Sequence, residues 1–92
     1  MKIALETSFN LNNAIDFETQ NATLSTLLEE LSANYRPEEA ESFEFFDSKR
    51  KEVYPEWVVH VNGQPYEDLS AGLNTVLKDR DKVGIYLVIP GG

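Results

Sequence analysis

The 92-residue chain contains no cysteine. Disulfides, thiolate metal sites and a cysteine nucleophile are therefore excluded. No redox compartment follows, because a chain without thiols tolerates either. Histidine is nearly absent too: His60 is the sole imidazole. It sits between valines with no serine nearby in sequence, so a triad or a metal site would need long-range partners. His60 reads as a surface-facing structural residue. Bases are scarce, eight against sixteen acids, for a formal charge of −8. Phosphate backbones repel such a surface, which argues against nucleic acid as a partner. Anionic membranes are disfavoured on the same ground. No apolar run approaches the ~20 residues of a membrane span, and no apolar signal region of ~7–15 residues follows Lys2. Cytoplasm is the expected compartment. Neither GxGxxG nor GxxxxGK(S/T) occurs, so no phosphate loop is read. No cofactor, metal or catalytic residue is assigned. Asp79 and Asp81 read as turn formers, and the acids from Glu38 to Glu44 as a solvated face without calcium-loop spacing.

What remains is patterning. The length suits a single domain over residues 1–92, since domains usually run ~100–200 residues. Ile3, Leu5 and Thr7 alternate with Lys2, Ala4 and Glu6, the period of a strand. Asn10, Asn12 and Asn13 form a turn, and Ala14 to Thr19 reads as a second strand completing a hairpin. Leu24, Leu27, Leu28, Leu31 and Tyr35 fall on one helical stripe. Thr23 is the expected N-cap, and Pro37 ends the helix through its effect on Arg36. Pro37-Glu38-Glu39 then resembles the first turn of a short helix. Phe43, Phe45 and Phe46 need burial, and Asp47 to Glu52 is a charged turn. Trp57, Val59 and Val61 face one way on a strand, with Val58 and His60 facing the other. Asn62-Gly63 is a strong hairpin-turn signal, followed by a short strand over Tyr66 to Leu69. Ser70 to Leu77 is irregular, and Asp79-Arg80-Asp81 is a turn. Lys82 to Ile89 is a long strand read as apolar on both faces, hence central in its sheet. The fold class is α+β, one main helix packed on a sheet.

The chain closes Val88-Ile89-Pro90-Gly91-Gly92. Residues 90–92 read as a flexible tail. At average glycine usage a terminal Gly-Gly arises by chance in roughly one chain in two hundred, so a chemical reason for it carries weight. An α-carboxylate is inert until activated, for example as an acyl adenylate. Activation means threading the terminus into another protein's ATP site, and glycine, lacking Cβ, lets backbone pass a narrow channel. Pro90 biases Ile89 toward an extended conformation, projecting the tail from the sheet. A frayed terminus is the alternative reading of the tail taken alone.

Three stretches together carry a family resemblance. They are Val59-His60-Val61-Asn62-Gly63, the segment from Leu69 to Val83 with Asp79-Arg80-Asp81, and Pro90-Gly91-Gly92. In this order they resemble the molybdopterin synthase small subunit (MoaD) family and are similar to the thiamine sulfur carrier (ThiS) family. Phe45-Phe46-Asp47 resembles the longer form of the small subunit. The resemblance implies a ubiquitin-like β-grasp fold, a mixed sheet packed on one main helix. It implies a sulfur carrier whose Gly92 carboxylate is adenylated by an E1-like enzyme of the MoeB/ThiF type and converted to a thiocarboxylate. In the molybdopterin branch the tail, with Gly91 and Pro90, enters the molybdopterin synthase large subunit. Tyr86, six residues before Gly92, matches the family's tail-flanking aromatic and would form the partner interface with Val88 and Ile89. Three positions depart from the pattern: Arg80 replaces a turn glycine, Leu87-Val88-Ile89-Pro90 replaces a proline pair, and Glu6 stands where an apolar residue is common. Two further readings are a protein modifier joined to lysines through Gly92 and a β-grasp binding module. The chain itself is read as a carrier, not an enzyme.

Overall fold

Two periodicities organise the chain. In the computed structural model, which describes residues 1–88, the first period-two segment forms strand β1 (Lys2–Thr7). Ile3 and Leu5 enter the core while Lys2 and Ala4 face outward. β1 pairs antiparallel with β2 (Ile15–Glu18), Ile3 opposite Phe17. Ala14 and Thr19 fall just outside this strand, although the Thr19 N–H still bonds the Met1 carbonyl at 3.0 Å. Helix α1 (Leu24–Asn34) buries Leu24, Leu27, Leu28 and Leu31. The Thr23 hydroxyl accepts from the Thr26 N–H as N-cap, satisfying one of the first-turn donors that a helix leaves free. Tyr35 is not helical but is the C-cap in extended conformation, its N–H bonding Leu31 at 3.0 Å.

Residues 37–56 depart most from expectation. Pro37 starts no helix, only a single turn closed by the Ala40 N–H on the Pro37 carbonyl at 3.1 Å. Phe43, Phe45 and Phe46, which need burial, all enter the core. The charged turn then proves to be a small hairpin, β3 (Phe46–Asp47) against β4 (Glu52–Val53). Ser32 of α1 tethers it, its hydroxyl accepting from the Phe46 N–H at 3.4 Å, and Lys51 forms an ion pair with Glu29 of α1. Edge-to-face aromatic contacts run from Phe17 to Tyr35 (5.8 Å), Tyr35 to Phe43 (5.8 Å) and Phe43 to Trp57 (5.4 Å).

β5 (Trp57–Val61) buries Val59 and Val61, as its alternation predicts. Asn62 and Gly63 take positive φ of 52° and 84°, the geometry of a tight hairpin turn. The strand after this turn is β6 (Gln64–Pro65), and Tyr66–Asp68, expected as strand, is a 3-10 turn. Pro65 donates no N–H, so the ladder cannot propagate through it on that side. A second 3-10 turn, Gly72–Asn74, lies within the segment expected to be irregular. β7 (Lys82–Leu87) ends before Val88, and Ile89 lies outside the described residues.

The five-stranded sheet runs β2-β1-β7-β5-β6. β7 is central, parallel to β1 and antiparallel to β5. This is the β-grasp: a mixed sheet holding one main helix. β7 is not apolar on both faces, however. Its outer face carries Lys82, Gly84 and Tyr86, while Val83 and Ile85 enter the core.

Arg80 occupies the left-handed region at φ 73°. The turn is over-determined: the Arg80 N–H bonds the Lys2 carbonyl at 2.6 Å, and the Lys2 N–H bonds the Asp79 carboxylate at 2.7 Å. The Arg80 side chain is 87% exposed and lies 3.9 Å from the Asp79 carboxylate. Arg80→Gly is therefore expected to stabilise the chain by about 1 kcal/mol, the cost of a Cβ in that region. Denaturant unfolding checks it; an unchanged or lower midpoint contradicts it.

Candidate functional site

The end of β7 is pinned from both sides. The Leu87 N–H donates to the Ser8 hydroxyl at 2.7 Å, and the Val88 N–H donates to the Glu56 carbonyl at 2.6 Å. The chain thus leaves the sheet between the β1–β2 loop and the β4–β5 turn. The loop is built around Asn10, one of the asparagines read as a turn. Its side-chain carbonyl accepts from the Thr7 N–H at 2.7 Å and from the Thr7 hydroxyl. Its amide donates to the Leu5 and Asn13 carbonyls at 3.1 and 3.2 Å. Val88 stands exposed at this root. Ile89, Pro90, Gly91 and Gly92, the other residues assigned to tail and interface, lie outside the described residues.

On the open face of the sheet, away from α1, Tyr86 is half-buried over Gly84. A Cβ at Gly84 would collide with the Tyr86 ring, so a glycine is required by close approach. His60 of β5 meets the ring edge-on, centroids 5.5 Å apart at 74°. It is half-buried, with the tyrosine as its neighbour. The Tyr86 hydroxyl donates to Glu6 Oε1 at 2.5 Å. Glu6 Oε2 accepts from the Asn12 N–H at 3.1 Å and lies 3.5 Å from Lys82 Nζ. Glu6 is 8% exposed, and a carboxylate so placed costs free energy unless its oxygens are paired. Here phenol, backbone amide and ammonium pair them.

The Tyr86 hydrogen bond holds the Glu6 carboxyl below its usual range. Desolvation opposes this, and the Asn12 amide and Lys82 reinforce it. Burial pushes the Tyr86 phenol up, and Glu6 pushes it further, to about 12. A raised folded-state pKa stabilises the fold fully below the unfolded value of 10.0 and less as pH rises toward about 12, since the unfolded chain then releases a proton that the folded chain keeps. Between these pH values the full chain is expected to lose stability more steeply than Tyr86→Phe, as denaturant midpoints read at each pH would show. Parallel curves contradict the assignment.

The sequence reading singled out Tyr86, and Glu6 only as a departure from pattern. Their pairing was missed, as were Lys82, Gly84 and Asn12. Alternation does place Glu6, Lys82 and Tyr86 on outer faces. Nothing local says that β1 and β7 are parallel neighbours with Glu6 opposite Gly84.

The sequence profile of the ThiS family matches residues 7–92. The chain belongs to the ThiS family. No curated protein matches it at a significant level. Among solved structures, this ThiS-family chain is similar to the Haloferax volcanii HVO 2177 protein, with a TM-score of 0.67 at 24% identity, covering 100% of this chain and 87% of that one. It is also similar to Urm1 from Trypanosoma brucei, with a TM-score of 0.65 at 23% identity, covering 99% and 95%. A third likeness is to the Amycolatopsis orientalis BexX/CysO complex, with a TM-score of 0.62 at 18% identity, covering 98% and 99%. These likenesses agree on the ubiquitin-like β-grasp. Among the described residues, no helix is long and apolar enough to cross a membrane.

Proposed function

We propose that this ThiS-family chain is a sulfur carrier acting through the Gly92 carboxylate. The observation that carries the reading is the family match, which extends through Gly91 and Gly92. The pinned root at Leu87 and Val88 supports it, because a tail on a rigid central strand can be presented to a partner in one direction. The chemistry takes two steps. A Gly92 carboxylate oxygen attacks the α-phosphorus of ATP and pyrophosphate leaves. A hydrosulfide ion then attacks the acyl carbon, AMP leaves and the S–H proton passes to solvent, giving the thiocarboxylate. Splitting one hard substitution into two easier ones is the general logic of covalent activation.

The chain has no cysteine and no phosphate loop, so an E1-like adenylating enzyme of the MoeB/ThiF type supplies the catalysis. Tyr86, Val88 and Ile89 form the contact with it. The acceptor step is sulfur delivery in molybdopterin biosynthesis, with this chain as small subunit against the molybdopterin synthase large subunit and Pro90-Gly91-Gly92 threaded inside. The action takes place in the cytoplasm. Incubation with ATP, an E1-like enzyme and a sulfur donor tests the reading. Intact mass should show the adenylate, then exchange of one oxygen for sulfur on the C-terminal peptide. Chain joined to lysines of other proteins, with no thiocarboxylate, would point to a protein modifier.

A further inference from the structure

We propose that Glu6 is a positioning residue that fixes the Tyr86 ring flat across Gly84 and thereby sets the shape of the partner-binding face. This rests on the carrier reading above and deepens it.

Three contacts define the ring. The missing Cβ at Gly84 leaves the space it lies in, His60 closes one edge, and the hydroxyl is tethered to Glu6 at 2.5 Å. Only the last is directional. Packing alone leaves a tyrosine on an open sheet face free to lift from the surface, because an exposed ring gains little by staying down. A hydrogen bond to an ionised acceptor is about twice as strong as a neutral one and fixes geometry as well. The acceptor is itself immobilised. Asn12, at φ 60°, donates its N–H to the other oxygen of Glu6 at 3.1 Å, and Lys82 sits 3.5 Å away.

Glu6 therefore ties together three pieces: β1, the outer face of β7, and the β1–β2 loop. That same loop supplies Ser8, which holds the Leu87 N–H at the tail root. The carboxylate charge is met inside the chain, so a docking partner has no need to bring a cation to it. What it meets is a plate formed by Tyr86 and Gly84, bordered by His60 and by Val58, which pairs with Tyr86 in the sheet register. A pre-shaped plate reduces the ordering cost of association, which otherwise consumes affinity.

The test compares Glu6→Ala, Glu6→Gln and Tyr86→Phe with the full chain in two measurements. In the free protein, nuclear magnetic resonance follows the Gly84 α-proton, displaced by the current of the overlying ring. With an E1-like adenylating enzyme and ATP, pyrophosphate release gives KM for the carrier and kcat separately. Glu6→Ala and Tyr86→Phe are expected to lose the Gly84 displacement and raise KM by about tenfold, as loss of an interface anchor does, with kcat held within about twofold. Glu6→Gln keeps one acceptor oxygen but sets an amide NH2 against the donors that the second oxygen met, Asn12 N–H and Lys82, and is expected to fall between the full chain and Glu6→Ala in both values. If the Gly84 signal stays displaced in Glu6→Ala and Tyr86→Phe, packing alone holds the ring and the proposal falls. If the displacement collapses while KM is unchanged, the positioning role falls and the carrier reading stands. No turnover with the full chain sinks the carrier reading and the partner role together.

Discussion

A chain lacking Gly92 is expected to melt with the 92-residue chain and to accept no sulfur. The stability half follows from where the core lies. Among the described residues its buried members run from Ile3 to Ile85, and Gly92 adds no side chain. A change remote from buried groups shifts stability by only about 0.5 kcal/mol. The activity half follows from geometry. Without Gly92 the terminal carboxylate sits on Gly91, drawn back by roughly 3.5 Å, the span of one extended residue. A misplacement of 1 Å already costs on the order of 100-fold in a positioned reaction, so adenylation should fall below detection. Intact mass after incubation with ATP, adenylating enzyme and sulfur donor reads the second half, and a thermal melt the first. Full loading of the truncated chain would refute the carboxylate mechanism, and a lowered melting point would refute the separation of tail from fold.

Phe45→Ala should be the most destabilising single truncation in the segment between helix and third sheet strand. Phe45 is 0% exposed, with ring centroids 4.9 Å from Phe43 and 6.0 Å from Trp57. Removing a buried phenylalanine costs about 3–5 kcal/mol, the sum of lost transfer energy and the cavity left behind. Folded domains are stable by only about 5–15 kcal/mol, so the loss is a large share of the whole. The melting temperature should fall by more than about 10 °C. Tyr54, 40% exposed in the adjoining hairpin, is the control: Tyr54→Ala should stay within about 0.5 kcal/mol. A Phe45→Ala cost below about 1 kcal/mol would mean that residues 37–56 are an appendage and not part of the core.

Much of this fold could be read before any coordinates. The leucine stripe, the Thr23 cap, the β5 alternation and the Asn62-Gly63 turn all appear as expected, because each depends on neighbours within a few positions. Errors gathered where local signals were weak or opposed. Pro37-Glu38-Glu39 has the composition of a helix start, but a first turn fixes several residues for one hydrogen bond, and only the single Pro37–Ala40 turn forms. Tyr66 to Leu69 looked strand-like, but Pro65 ended the ladder. The positive φ of Arg80 is signalled only by the resemblance, in which Arg80 replaces a turn glycine, since arginine itself carries no sign of it.

The sequence by itself determined helix α1, strands β1 and β5 with their core faces, the Asn62-Gly63 turn and the resemblance to the ThiS family. Those follow from periodicity, capping and motif order, which are properties of short stretches. It also showed Tyr86 as a residue of interest and Glu6 as an anomaly. Only the tertiary structure made them one feature, by laying β7 parallel to β1 so that residues 80 positions apart share a hydrogen bond. Strand order and register arise from how whole faces pack against α1. No local pattern encodes which outer-face residues that packing will bring together.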